Sequence, residues 1–297
     1  AHFAPASPVS SHPARRGQEP RRPTTNLRPV KSSHDLAPAN EYEALLRHFD
    51  QREVDATDPR SHWALRYRER LGLLLGQLRR EVAVGERVLE VGSSQANCSL
   101  LAAEAGLCTV ALDRDVRALT YARRKHERGD FAAVAGDACH LPFRAGSFAA
   151  VVAAELLEHL PEPAQALGEC RRVLAPGGLL LVTVPNADFF HEPLPSYRAA
   201  APGLTASPAP DAAGHLFAFR VAELRALLAE NGFRVTAAGY VGSVLLSDRN
   251  PAKRLVPAGV VAALSRVLNR LPGAAVLSYG CFAVARRRES GVRITFA

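Results

Sequence analysis

RVLEVGSSQANCSLLAAEAG, residues 87–106, decides how the rest of the chain is read. Arg87 to Val91 is a short β-rich run, Gly92 to Ala96 is a turn of small and polar residues, and from Asn97 the apolar positions recur at helical spacing. A strand therefore passes through a tight turn straight into a helix. At the carboxyl end of the first strand of an open α/β sheet, such a turn is where a nucleoside-type ligand is expected. Taken singly the turn does not separate that use from an ordinary βα connection, because it is not G-x-G-x-x-G.

Downstream, short β-rich runs keep alternating with helical stretches: CTVAL, VRALTYARRKHERG, FAAVAG, FAAVVAA (148–154), a helix from Pro163 to Leu174, and GLLLVTV (178–184). This alternation implies a parallel sheet covered by helices. The unbroken apolar character of 178–184 suits a central strand buried on both faces. Pro185 to Leu216 is rich in Pro, Ala and aromatics, has no period, and is too long for an ordinary connection, so a lid or substrate loop is expected there, over 187–216. The helix VAELRALLAENG follows, with Gly232 where it should stop, then strand FRVTAAGYV. Residues 255–271 place Val260, Val261, Leu264, Val267, Leu268 and Leu271 on one helical face, expected to close the sheet between the last two strands rather than to form a membrane-surface element ahead of Arg286, Arg287 and Arg288, and 274–287 reads as the final strand.

Upstream, residues 1–40 hold seven of the 21 prolines and show no hydrophobic period, which predicts a disordered leader. From 41 to 82, Tyr42, Leu45, Leu46, Phe49, then Trp63, Leu65, Tyr67, Leu71, Leu74, Leu75 and Leu78 predict an N-terminal helical cap ahead of a main domain over 83–297, with a helical insertion at 243–273. The net charge of +8 sits in the tails: residues 1–40 carry six Lys/Arg against two acids and 281–297 four against one, which leaves 27 minus 26, or +1, for the middle. A nucleic-acid groove would put its charge on the folded domain, so no nucleic-acid partner is expected. Five cysteines without a C-x-x-C pair suit a reducing compartment, and no apolar run reaches the ~18 residues of a membrane span, so a cytoplasmic protein is expected, monomer or homodimer.

Two acids repeat the geometry of the first turn. Asp113 ends the second strand about 20 residues beyond it, where a carboxylate can accept from both ribose hydroxyls; Asp113 or Asp115 would equally serve as a helix N-cap. Asp137 in GDACHLPF follows the third strand and can face the same crevice, or simply close a turn. With RVLEVGSSQANCSLLAAEAG, TVALDRD, GDACHLPF, AELLEHLPEP and RRVLAPGGLLLVTVPN in this order, the chain resembles the class I S-adenosylmethionine-dependent methyltransferases over about residues 85–240, and HLFAFRVAELRALLAENGFRV resembles a further segment of that family. The resemblance implies an α/β, doubly wound, seven-stranded, mostly parallel Rossmann-like sheet in the order 3-2-1-4-5-7-6 with the last strand antiparallel. It implies S-adenosyl-L-methionine as cofactor and methyl transfer to a small-molecule acceptor, a natural-product, sugar or quinone-like compound; hydroxyl oxygen is slightly preferred over amine nitrogen as the atom methylated.

Carried over position by position, the resemblance gives the cofactor to Glu90, Gly92, Ser93, Ser94, Ala96, Asp113, Arg114, Asp137, Ala138 and Glu155. His159, His191 and His215 become candidate bases, since histidine titrates near neutrality. Two positions depart from the family pattern: Gly92-Ser93-Ser94-Gln95-Ala96 stands for G-x-G-x-G, and Phe148-Ala149 for F-D. If Ser94 or Ala96 takes a positive φ, each costs about 1 kcal/mol. Glu155, Glu158 and His159 lie within one expected helical turn, a spacing open to a metal, although none is expected. Tyr42, Trp63, Arg66 and Tyr67 before the sheet, and Phe189, Phe190 and Tyr197 in the lid, are the expected acceptor walls. Two other readings stay open: a nicotinamide oxidoreductase, which lacks its third glycine here, and a methyltransferase-fold protein that has lost its cofactor and serves as a binding or assembly partner.

Overall fold

The computed structural model describes residues 42, 46–47, 50, 61–200, 214–247, 250 and 255–289. The expected leader, most of the segment before Ser61 and part of the lid lie outside them.

In chain order the elements are α1 (His62–Glu81), β1 (Arg87–Val91), α2 (Asn97–Glu104), β2 (Cys108–Asp113), α3 (Val116–Lys125), β3 (Asp130–Ala135), β4 (Phe148–Ala154), α4 (Pro163–Val173), β5 (Leu174–Pro185), α5 (Tyr197–Ala200), α6 (Val221–Glu230), β6 (Phe233–Ser243), α7 (Ala258–Leu268), α8 (Ala274–Leu277) and β7 (Ser278–Arg287). The sheet order is β3-β2-β1-β4-β5-β7-β6, as the family resemblance implies. The five strands from β3 to β5 pair in parallel, and β7 runs antiparallel to both β5 and β6.

Alternation along the strands splits the core into two layers. On β1, Leu89 and Val91 pack with Leu157, Leu167 and Leu224 beneath α4 and α6, while Val88 packs with Leu71, Leu74 and Leu78 of α1 on the other side. On β5, Leu180, Val182 and Val184 join the first layer and Leu179 and Leu181 the second, so this strand is buried on both faces. The expected cap is in part a layer of the fold itself. Ser61 starts α1 by accepting from the Ala64 amide at 3.1 Å, and the helix then lays its leucine face on the sheet.

Three expectations change. The final strand begins at Ser278, not 274, because Gly273, at φ 86°, opens the short helix α8. The Glu155, Glu158, His159 stretch is not one helical turn: Glu155 has φ 52°, and only Leu157–His159 form a 3-10 turn. The apolar face of α7 does not close the sheet. Val261 and Ser265 point inward, whereas Val260, Leu264 and Val267 are each about half exposed, at 47%, 53% and 54%. The inward positions are set by hydrogen bonds: Glu69 of α1 accepts from Ser265 Oγ and from Asn269 Nδ2, each at 2.6 Å, which turns the apolar stripe outward.

Candidate functional site

The turn after β1 is held in left-handed backbone at three residues: Gly92 at φ 69°, Ser94 at φ 46° and Ala96 at φ 58°. Ser94 and Ala96 thus keep the conformation that glycine adopts freely, at about 1 kcal/mol each. Gly92 cannot be replaced so cheaply, because a Cβ there would stand 2.7 Å from Leu156 Cδ1. The turn is fastened to β2: the Ser93 amide donates to Leu112 O at 3.0 Å and the Ser94 amide to Asp113 Oδ2 at 2.6 Å. Asp115, not Asp113, caps α3, accepting from the Arg117 amide at 2.9 Å. Asp113 Oδ1 accepts from the Asp115 amide at 2.8 Å, so its carboxylate ties the two loops together at the crest of the sheet.

Glu90, on β1, is buried and reaches under the turn, its Oε2 accepting from the amide and the hydroxyl of Ser99 at 2.8 and 2.6 Å. Burial pushes its carboxyl up to about 7, although the Ser99 bonds and the Lys125 and Arg70 cations pull the other way. Two buried polar atoms beside it, Ser93 Oγ and Gln95 Oε1, have no hydrogen-bond partner among the described residues. A buried polar atom left unpaired costs about 1–3 kcal/mol, so both are open to hydrogen bonds from a ligand in the cavity they line.

The opposite wall comes from distant elements. Arg70 of α1 pairs with Glu155 Oε2 at 3.1 Å and lies over the Tyr67 ring at 4.4 Å. Burial works against the Arg70 charge, but Glu155 and Tyr67 outweigh it and hold the guanidinium above its ordinary range. Arg66 lies 4.0 Å over the Tyr279 ring of β7, and Tyr279 in turn packs against Phe189 of the lid at 4.5 Å. The imidazoles of His159 and His215 sit 4.7 Å apart. His159 Nδ1 lies 3.1 Å from the Gly214 carbonyl, which can only accept, so this nitrogen is the donor of that bond. Glu158 is fully buried beside them, and a ligating atom from each of Glu158, His159 and His215 lies within 4.8 Å of the others.

A cavity of about 610 Å³ joins the two walls. It is lined by Glu90, Gly92, Ser93, Ser94 and Gln95 on one side, and by Arg66, Arg70, Glu155, His159, His191 and His215 on the other. All three candidate bases therefore meet one space, which is of the size small-molecule sites use. The remaining expected residues do not line it. Ala96 is buried against α2 and α3, and Ala138 packs in the main core. Arg114 is exposed, and Asp113 touches the site through Ser94. Asp137 closes its own turn, accepting from the Cys139 amide at 2.9 Å and pairing with His140 Nδ1 at 3.1 Å, contacts that lower its carboxyl.

Three of the expected acceptor walls do not line the cavity, and of these Phe190 is 58% exposed. The Tyr42 hydroxyl donates to Asp115 Oδ2, its ring stacks under Arg117 at 3.8 Å, and burial with that bond raises the phenol to about 12. Tyr197 packs on Phe217 and Phe219 in the core. The side chain of Trp63 lies outside the described residues.

Residues 89–182 match the methyltransferase domain family model. These residues form a methyltransferase domain. The chain is 40% identical over 114 residues to a demethylmenaquinone methyltransferase of Renibacterium salmoninarum, covering 38% of this chain and 46% of that protein. To the enzyme of the same name from Paenarthrobacter aurescens it is 36% identical over 135 residues, covering 42% and 51%. The chain thus spans about half the length of the curated relatives it matches. Among solved structures, a chain of the complex between the Haloferax volcanii Trm112 methyltransferase activator and a methyltransferase superposes with a TM-score of 0.53 at 18% identity, covering 81% of this chain and 98% of that one, a likeness of fold.

S-adenosylmethionine is the cofactor that this likeness implies, and the turn fits it. The unpaired Ser93 Oγ and Gln95 Oε1, the left-handed backbone and the acids Glu90 and Glu155 suit a ligand that carries hydroxyls, amines and a sulfonium charge. Sequence reading passed over Gln95 and Arg70. The first is the fourth residue of a turn read for its glycines. The second could have been found: Arg66, Glu69 and Arg70 share one face of α1, opposite its leucines, and three polar residues at that spacing on a helix otherwise laid on a sheet mark a second buried surface.

Proposed function

We propose that this chain transfers a methyl group from S-adenosylmethionine to a hydroxyl oxygen of a small, quinone-like acceptor, with His159 as the proton acceptor. The observation that carries the reading is that His159, oriented by the contact of its Nδ1 with the Gly214 carbonyl, lines the same cavity as the glycine-type turn. The relatives named demethylmenaquinone methyltransferase support a quinone-like acceptor.

The cofactor supplies an electrophilic methyl on a sulfonium sulfur. The chain holds and orients. Glu90, Ser93 and Gln95 fix one end of the cavity, and Arg66, Tyr279 and Phe189 form an aromatic and cationic wall for a flat acceptor. His159 Nε2 takes the hydroxyl proton as the oxygen gains its new bond to carbon, and buried Glu158 compensates the imidazolium charge that forms. Alignment and exclusion of water do most of the remaining work, since no covalent nucleophile is needed.

The test is product analysis by mass spectrometry with hydroxylated and amine-bearing aromatic acceptors, beside calorimetry with S-adenosylhomocysteine and with NADH. Binding of the homocysteine nucleoside alone, an O-methyl ether as product and a loss of about 10²–10⁴ in turnover on His159→Gln are expected. Cofactor binding with only N-methylated product overturns the oxygen assignment. No binding of either nucleotide selects the reading in which the fold serves as a binding partner.

A further inference from the structure

α7 is built inside out. A surface helix ordinarily buries its apolar stripe and shows its polar face. Here the buried face carries Ser265 and, just past the helix end, Asn269, tied to Glu69 and to Ser243 and Ser278 by bonds of 2.6–2.9 Å. Val260, Leu264 and Val267 recur at i, i+4 and i+7 on the solvent side, and Leu271 continues the row in the turn beyond, each 47–54% exposed; Leu255, just before the helix, is 88% exposed. Because four of the polar anchors, Ser243, Ser265, Asn269 and Ser278, are themselves buried and bonded, the helix cannot roll to hide its leucines without breaking those bonds.

The row runs on to the mouth of the cavity. Val276 of α8 is 48% exposed, and its carbonyl accepts from the amide of Phe190, which is 58% exposed. Phe189 and His191, on either side of Phe190, line the cavity. A continuous exposed apolar ribbon of this kind marks an interaction surface rather than scattered surface leucines.

Charge says what it meets. Residues 249–288 contain eight Lys and Arg and neither Asp nor Glu. Of these, Arg266 and Arg270 stand exposed along one edge of the apolar row. Among the described residues, Glu69 of α1 faces the other way, accepting from Ser265, Asn269 and the Gly242 amide. An exposed apolar row of valine and leucine edged by arginines is the form of a helix that lies in a lipid headgroup layer, with its apolar side dipped and its cations on phosphates.

We propose that α7, with Leu255, Leu271, Val276 and Phe190, docks this chain on an anionic lipid bilayer surface, setting the cavity mouth against the membrane. The docking stands on the exposed face and its charge alone; that it serves the acceptor rests on the quinone-like reading above, and the test separates the two.

The full chain is sedimented with vesicles of phosphatidylcholine containing about 30% phosphatidylglycerol, and with pure phosphatidylcholine, without cofactor or acceptor present. Wild type is expected to pellet with the anionic vesicles and to be released by salt. Leu264→Gln/Val267→Gln and Arg266→Gln/Arg270→Gln, both of which keep the basic leader, are each expected to bind roughly tenfold or more weakly. Their melting by circular dichroism, a readout independent of any ligand, is expected to match wild type, since every altered side chain is solvent-facing. Binding equal in wild type and both variants would assign attachment to the leader and overturn the proposal, as would no pelleting at all. A dimer by light scattering that dissociates in Leu264→Gln/Val267→Gln would give the face to a second copy instead. Methyl transfer plays no part in any of these outcomes.

Discussion

The two walls of the cavity are made in opposite ways. The wall at Glu90 to Gln95 comes from one uninterrupted stretch between β1 and α2, shaped by backbone conformation and fastened to the neighbouring strand. The facing wall gathers Arg66 and Arg70 from α1, Glu155 from the end of β4, Phe189 and His191 from the lid, His215 before α6, and Tyr279 from β7. One is local and the other is assembled from residues more than 200 positions apart. The family model spans 89–182, which covers the first wall and leaves out most of the second. A ligand common to many proteins can be held by a short turn, whereas the part that selects an acceptor is spread over segments free to differ.

That contrast can be broken at the local wall with a single methyl group. Gly92→Ala places a Cβ 2.7 Å from Leu156 in left-handed backbone, and is expected to cost about 2–3 kcal/mol of stability and 100-fold or more in S-adenosylhomocysteine affinity by calorimetry. A variant that binds as wild type does would show that the turn is not a cofactor wall.

At the assembled wall the largest effect is expected at a residue that touches no ligand. Glu69→Ala removes the acceptor shared by Ser265, Asn269 and the Gly242 amide, and should lower stability by about 3 kcal/mol in thermal melts, with acceptor KM rising more than cofactor Kd. An equal loss of both affinities would mean that the two walls are not separable.

The pH dependence belongs to Glu90. With its folded pKa raised to about 7, it holds a proton that the unfolded chain has lost, so its contribution to stability is fully present below the unfolded value and is lost as pH rises through about 7. The ionised form is the one that attracts a cationic ligand. S-adenosylmethionine is therefore expected to bind up to about tenfold more tightly at pH 8 than at pH 6, with the slope flattened in Glu90→Gln. A pH-independent Kd in wild type would remove Glu90 from the cofactor's surroundings.

The smallest effects sharpen the comparison from within the turn. Ser94→Gly and Ala96→Gly each relieve a left-handed residue and should raise stability by up to about 1 kcal/mol, with the melting temperature as the readout. Dialysis against a chelator bears on the other wall: unchanged turnover fits His159 as a base, and turnover restored only by a divalent ion would make Glu158, His159 and His215 its ligands.

What could be read from the sequence divides along the same line. The strands follow from alternation and their order from the family resemblance, carried by motifs each contained in a few residues, and a positive φ at Ser94 or Ala96 comes into consideration because those positions replace glycines. The meeting of three histidines in one cavity was legible only as three separate candidates, since chain separation says nothing of distance. Tyr42 and Tyr197 were misplaced for the same reason. The orientation of α7 was misread because hydrophobic periodicity assumes that the apolar face turns inward, and a single buried acid 196 residues away reverses it.

The place of β7 has a consequence for the order in which the chain is made. β6 is synthesised first but has no partner in the sheet other than β7, which is inserted between it and β5. A nascent chain that has reached Ser243 therefore carries the apolar edge of β5 and a lone β6 with nothing to pair them. Both stay open until Ser278 to Arg287 emerge, a delay during which an unpaired edge is most exposed to other strands.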